Sequence, residues 1–195
     1  MVDDSKSEEG TGTGPDEPPD APGVWPLASF AQGWLRDAWL EASLDGPDHR
    51  RHEVLFSVCL VESYLFEWVR DLVLRRDFRA LARYFPPGER RGIEQKLKQV
   101  TKELHADGLV KAAPGFGTTL WADFLDLVRL RDGLVHASTS RPQMFVAENR
   151  RTLLDLNRLA PGWAIGTART VLLANHESTG FDPPDWLMHP ELSFP

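Results

Sequence analysis

The chain has 195 residues, of which 42% are hydrophobic and seven are Trp, so it can bury the core of one domain. Its single cysteine, Cys59, excludes an internal disulfide and a multi-cysteine metal site, and we expect a reducing, cytoplasmic setting. Because no apolar run reaches the roughly 20 residues of a membrane-spanning helix, we expect no membrane contact.

The net charge of −7 is concentrated at the start of the chain. Residues 1–20 contain seven Asp or Glu and one Lys, which gives −6 and leaves −1 for all later residues. Residues 1–23 are also nearly devoid of apolar side chains, so burial cannot offset the entropy of ordering them. We therefore predict a disordered acidic tail. The nearly neutral remainder neither favours nor excludes nucleic acid as a partner.

Two helices are predicted after the tail. The first runs from Trp25 to Ser43, with Pro26 in its first turn, and the second runs from Asp48 to Arg75. Glu62 lies in the middle of the apolar face predicted for the second helix, where a plain core helix would place Leu. The first helix repeats Leu27, Phe30, Trp34 and Ala38 at helical spacing, and the face of the second consists of Leu55, Val58, Cys59, Phe66, Val69 and Val73.

The rest of the chain is also predicted to be helical. A short helix over Asp77–Tyr84 ends before two prolines. The helix after the prolines is followed by an irregular connection, which spans Ala106–Thr119. A further helix is expected over Pro142–Ala174, interrupted at Pro161 and Gly162. Between the two prolines and the connection, Ile93, Leu97, Val100 and Leu104 mark an amphipathic helix that ends near His105.

These elements predict an all-α bundle of four to six helices that occupies residues 24–176. Residues 177–195 contain four prolines and are expected to form an extended strap. In this strap Phe181, Trp186 and Leu187 are expected to pack on the helical domain.

The helix predicted over Trp121–His136 carries charged residues among its apolar positions. On a helical wheel Asp132 falls inside the apolar stripe, Arg131 falls on the same broad arc, and His136 lies at the opposite edge. Charged groups in such places need partners or a chemical role. The stripe consists of Trp121, Phe124, Leu125, Val128 and Val135, flanked by Leu127 and Leu134.

Arg131 and His136, separated by four residues, resemble the Arg-x(4–6)-His signature of the HEPN superfamily of small all-α domains. Glu62 strengthens the resemblance, because the family often carries an acidic residue in an early long helix. The resemblance implies a metal-independent endoribonuclease without a cofactor, acting as a toxin or a phage-defence component, with RNA as substrate and a homodimer as the active form. An antitoxin or other protein partner is also implied.

The resemblance assigns roles that the residues can perform chemically. His136 would serve as the base or the acid of RNA cleavage, and Arg131 would hold the phosphate. Asp132 would orient one of the two, and Glu62 would anchor Arg131. Asp132 departs from the Asn that often follows the family's Arg, and it would weaken phosphate binding unless Arg129 compensates.

A structural interpretation competes with catalysis. Glu62 and Arg131 can be an interhelical ion pair that fixes register, and His136 can interact with a helix dipole. The spacing alone is close to chance, since Arg169 and His176 also fit the looser pattern. The alternative function is a non-catalytic HEPN-like domain that binds nucleotides or a protein partner.

Two further sets of residues are weaker candidates for a binding site. Basic residues between Arg75 and Lys102 alternate with acidic ones, which favours a solvated surface over a phosphate-binding one. His49, His52 and Glu53 have only a loose likeness to metal ligands, and we interpret them as the solvated start of a helix. No metal site is predicted.

Overall fold

A computed structural model of the protein describes residues 29–75, 92–108, 110, 116–135 and 153–190. These residues form a bundle of α-helices without a β-strand, which confirms the all-α class. In chain order the helices are α1 (Phe30–Ala42), α2 (Pro47–Arg75), α3 (Ile93–Ala106), α4 (Thr119–Val135), α5 (Trp163–Thr179) and α6 (Asp185–Met188), with a 3-10 helix at Leu153–Arg158. The longest, α2, packs against α1, α3, α4 and α5 and so forms the centre of the bundle.

A side chain of α2 helps to set the start of α1. Ser29 is the N-cap of α1, and its hydroxyl donates a hydrogen bond of 2.8 Å to Glu67 Oε2. The other oxygen of Glu67 accepts from the backbone N–H of Ala31 at 3.1 Å. Both contacts satisfy groups at the helix start that would otherwise lack partners. The predicted start at Trp25 is therefore wrong, because Ser29 has an extended backbone and the helix begins at Phe30.

The buried faces of α1 and α2 differ in part from the predicted ones. Phe30 is 70% exposed and Phe66 is 53% exposed, although both were expected to face the core. Glu62 lies at the edge of the buried face of α2, with 43% of its side chain exposed. The buried apolar residues are Ala31, Leu35 and Ala38 on α1, and Val54, Val58, Leu60, Val61, Tyr64, Leu65, Trp68, Val69 and Leu72 on α2.

The helices α3 and α4 close another side of the bundle. All four predicted positions of α3 are buried, as expected for an amphipathic helix. In α4 the side chain of Asp132 is 54% exposed and Val135 is exposed, so their predicted place in the buried stripe is wrong. The acidic residue that α4 does bury is Asp126. Its apolar neighbours on that face are Trp121, Phe124, Leu127 and Leu130.

The interruption predicted at Pro161 and Gly162 is confirmed. A 3-10 helix ends at Arg158, and α5 begins after Gly162, whose φ of 81° is left-handed and readily adopted by glycine. The predicted end at Ala174 is too early, because α5 continues to Thr179. Residues 142–152, the first part of the predicted helix, lie outside the described residues.

The segment after α5 is less extended than predicted. Residues 177–179 still belong to α5, and residues 185–188 form the single turn of α6. The predicted docking residues do pack on the domain: Leu187 is fully buried, and Phe181 and Trp186 are partly buried against the core. This packing positions the segment against α2 and α5.

Arg169 of α5 holds the end of α6, and its replacement is expected to loosen this segment. Its Nε donates to the carbonyl of Leu187 at 2.7 Å, and its Nη2 donates to the carbonyl of Met188. Arg169→Met is expected to raise amide exchange over residues 185–190 about tenfold, because hydrogen bonds to a charged group are among the stronger ones. Hydrogen-exchange mass spectrometry measures this. Arg36→Met, at an exposed pair with Asp37, is the control; equal exchange in both variants contradicts the assignment.

Several predicted features fall on residues that are not described. These are the acidic tail over residues 1–23, the helix predicted over Asp77–Tyr84, half of the connection between α3 and α4, and residues 191–195. Among the described helices, none combines the length and apolar character that crossing a bilayer requires.

Candidate functional site

The contact expected between Glu62 and Arg131 is present. Arg131 lies in the last turns of α4, and its Nη2 donates to Oε1 of Glu62 on α2 at 2.7 Å. The Arg131 side chain is 23% exposed, so the pair lies at the surface of the α2–α4 interface. A partly buried pair of this kind fixes how the two helices face each other and orients the guanidinium.

A second carboxylate lies against the same guanidinium. The Nε of Arg131 is 3.0 Å from Oδ1 of Asp132 but lacks the alignment of a hydrogen bond. Arg131 is thus flanked by carboxylates of two residues, one from α2 and one from its own helix. Because two negative charges surround one positive charge, the attraction of this arginine for a phosphate is reduced.

Arg129 does not supply the expected compensation at this pair. Its Nη1 lies 3.3 Å from Oδ1 of Asp126, one turn earlier on α4, and its side chain is 51% exposed. The Asp126 side chain is buried. Arg129 therefore belongs to a different ion pair from Arg131.

His136 directly follows Val135, the last residue of α4, in the sequence and lies outside the described residues. Its position relative to Arg131 stays a prediction. On a continuous helix the two residues would be about 140° apart, which favours a site shared by two copies.

Cys59 lies near the Glu62–Arg131 pair but is not suited to nucleophilic chemistry. Burial raises the pKa of its thiol, Glu62 raises it further, and Arg131 opposes them with a smaller effect. The thiol is consequently protonated at neutral pH, whereas a nucleophilic cysteine needs a thiolate.

A groove of about 340 Å³ borders Glu62 on the α1–α2 side. Phe30, Trp34 and Phe66 contribute aromatic rings to it, and two of these rings are largely exposed. Arg70 is also in the lining. Exposed aromatic rings beside a cation are the combination on which unpaired nucleobases stack.

The most buried ion pair of the described residues was missed from the sequence. Glu53 is 1% exposed, and its Oε2 accepts from Arg50 Nη1 at 2.8 Å. The same carboxylate accepts backbone N–H groups at the start of α5, from Ala164 at 2.9 Å and from Ile165 at 3.3 Å. Its assignment to a solvated helix start is wrong. The available signal was spacing, because Leu60 lies seven residues, or two helical turns, after Glu53.

Glu53 also lies apart from the two histidines with which it was grouped. His49 and His52 approach the Glu41 carboxylate of α1, with Nδ1 to Oε2 distances of 2.7 and 3.5 Å. The three residues therefore do not share a site, since Glu53 points to α5.

A second missed group is His176 of α5, which is buried against Tyr64 of α2. Its Nδ1 lies 2.8 Å from the carbonyl oxygen of Phe181. Because a carbonyl can only accept, Nδ1 carries the proton and Nε2 accepts from the Tyr64 hydroxyl. Burial lowers the pKa of His176, although the Phe181 carbonyl and Asp182 partly oppose that effect. Arg169 is engaged with α6, so it forms no site with His176.

In the described part of the basic region, Lys98 is ion-paired. Lys98 Nζ lies 2.7 Å from Oε1 of Glu94, one turn earlier on α3. This pair fits a solvated surface. The arginines between residues 76 and 91 lie outside the described residues.

Comparison with known proteins identifies no relative. A scan against family models, a search of the curated proteins and a search of the solved structures each returned no match.

Proposed function

We propose that this protein is a HEPN-like, metal-independent endoribonuclease of the toxin or phage-defence kind, with Arg131 and His136 as its catalytic residues. The observation that carries the proposal is the 2.7 Å hydrogen bond by which Glu62 holds Arg131. A guanidinium has five N–H donors, and this bond uses one of them, so an anchored Arg131 can still bind a phosphate through others.

The proposed reaction is attack of an RNA 2′-hydroxyl on the adjacent phosphorus. His136 accepts the hydroxyl proton, and Arg131 stabilises the negative charge that grows on the phosphoryl oxygens. The bond from phosphorus to the 5′-oxygen breaks, and that oxygen takes up a proton. A 2′,3′-cyclic phosphate and a 5′-hydroxyl are the expected ends.

The groove beside Glu62 supports RNA as the substrate. Phe30 and Phe66 expose their rings there, and base stacking on such rings contributes about 1–3 kcal/mol per base. Glu62, which lines this groove, also holds Arg131, so the groove lies next to the proposed catalytic arginine.

Cleavage of a 5′-labelled RNA in the presence of EDTA tests the proposal. Arg131→Ala and His136→Ala are each expected to lower the rate about 100-fold or more, because each removes a group that acts in the transition state. Arg131→Lys keeps the positive charge but not the forked set of guanidinium donors, so a smaller loss of cleavage rate is expected. Arg36→Ala, at an exposed pair on α1, is the control. An inactive wild type, or unchanged rates in Arg131→Ala and His136→Ala, rejects the enzyme.

Mixing the two inactive variants tests a site shared between two copies. If Arg131 of one copy acts with His136 of the other, mixed dimers regain one intact site, and on the order of a quarter of the activity returns. No recovery after mixing, with dimers present in sedimentation, places both residues of each site in one copy.

The second candidate is a non-catalytic HEPN-like domain that binds a nucleotide or a protein such as an antitoxin. The contact between Asp132 and Arg131 favours it, because a second carboxylate reduces the affinity of the guanidinium for phosphate. In this case His136→Ala changes nucleotide affinity or oligomeric mass, and the wild type has no turnover.

A further inference from the structure

A cavity of about 310 Å³ opens where α2 meets α5 and the segment that follows α5. It lies apart from the Glu62–Arg131 pair, since neither residue is in its lining. Its size is that of a small-molecule site. Most of the side chains around it are aromatic rings, one buried histidine and carboxylates, and Ser29, Leu72 and Pro184 complete the lining.

Aromatic rings form its walls. Tyr64 and Trp186 meet nearly at right angles, with ring centroids 5.7 Å apart and an interplanar angle of 73°. Trp68 and Phe181 meet at 74° with centroids 6.4 Å apart. Tyr64 and Trp68 are buried, whereas Trp186 and Phe181 come from the more exposed segment after α5. Rings set at right angles line a cavity on more than one side, as in an aromatic cage.

The buried polar groups of this cavity already have partners. His176 donates from Nδ1 to the Phe181 carbonyl and accepts the hydroxyl hydrogen of Tyr64 at Nε2. Leu72 is the remaining buried residue of the lining. A ligand beside these buried residues therefore meets aromatic rings and an apolar side chain, so it does not need to donate hydrogen bonds there.

Carboxylates set the sign of the charge that fits. Glu67, Asp71 and Asp182 line the cavity, and the described lining residues include no Lys or Arg. The pKa of the Tyr64 phenol is raised by burial and, to a smaller extent, by Glu67 and Asp71. Asp182 likewise raises the pKa of His176, although burial lowers that pKa by more. The negative potential thus reaches the aromatic rings.

We propose that this cavity binds a small quaternary ammonium compound, with its methylated nitrogen against the rings of Tyr64, Trp68 and Trp186. Such a cation is attracted to ring faces and donates no hydrogen bonds, which matches the deep part of the cavity. The nearby carboxylates favour it over a neutral molecule of the same shape. A primary ammonium or a guanidinium would instead lose hydrogen bonds to water among the rings.

Titration with choline chloride and with 3,3-dimethylbutan-1-ol tests the proposal on the full chain. The alcohol has the same shape, but a carbon replaces the charged nitrogen. Tryptophan fluorescence at constant ionic strength is expected to change saturably with choline, with the alcohol at least about tenfold weaker. Equal affinities for the two compounds overturn the charge argument, and no saturable binding of choline overturns the site.

Two variants place the binding in this cavity. Trp186→Leu is expected to weaken choline binding about tenfold, and Asp182→Asn, at an exposed residue, by about threefold. Trp39→Leu removes a partly exposed tryptophan of α1 from outside the lining and serves as the control. Circular dichroism and thermal melting verify that each variant folds. Unchanged affinity in Asp182→Asn, or equal losses in Trp39→Leu and Trp186→Leu, contradicts the location.

Discussion

Replacement of Glu53 by Gln is expected to lower the free energy of unfolding by about 3–5 kcal/mol, because it leaves the guanidinium of Arg50 buried without its counter-charge. The wild-type carboxylate also accepts the N–H groups of Ala164 and Ile165, where a helix start favours a negative charge. Gln retains one oxygen for these donors, so most of the loss comes from the removed charge.

Urea denaturation at pH 7 measures the change in the free energy of unfolding that Glu53→Gln causes. Glu94→Gln is the matched control, because Glu94 forms an exposed ion pair with Lys98 whose loss is expected to cost under about 1 kcal/mol. If the two substitutions cost the same, the buried pair does not stabilise α5. Arg50→Met is the complementary variant. It is expected to be destabilising as well, since Glu53 then keeps only backbone donors.

The second large effect expected is a loss of stability in mild acid that depends on His176. Burial lowers the pKa of this residue in the folded protein below its usual value of 6.5. On acidification the unfolded chain therefore binds a proton first, and the free energy of unfolding falls as the pH drops below 6.5. The decline continues until the pH reaches the folded-state pKa and amounts to at most about 1.4 kcal/mol per pH unit.

His176→Gln is expected to remove this pH dependence and to destabilise the protein at pH 7.5 by about 1–3 kcal/mol. The destabilisation arises because the Tyr64 hydroxyl and the Phe181 carbonyl lose well-aligned partners. Urea denaturation between pH 5 and pH 8 gives both quantities. His105→Gln, at an exposed position on α3, should retain the wild-type slope. A wild-type slope in His176→Gln would refute the role of this histidine.

Local sequence patterns predicted the helices better than the faces they bury. The bounds of α2 and α3 follow from helical spacing and from the turns around them. On α4, by contrast, apolar residues surround much of the helix, so neighbouring helices decide which side is buried. The buried acid is consequently Asp126 and not Asp132, although both positions have similar apolar neighbours in the sequence.

The contact between Glu62 and Arg131 was accessible from the sequence, because each is a charged residue beside apolar positions of a long helix. The contacts of Glu53 with the start of α5 and of His176 with Tyr64 were not, since these partners are more than 100 residues away. The helical periodicity of a segment does not determine which residue of a distant segment packs against it. The same holds for the cavity at Tyr64, which exists only once α2, α5 and the following segment are packed together.

Two carboxylates on α2 bind the first turns of neighbouring helices, so α2 fixes the distance between those two helix starts. Glu67 binds the start of α1 and Glu53 binds the start of α5, and they are 14 positions apart, which is about 21 Å along a helix. An inserted residue between them would turn one carboxylate by about 100° relative to the other. The length of α2 between these positions is thus constrained more tightly than the identity of most residues within it.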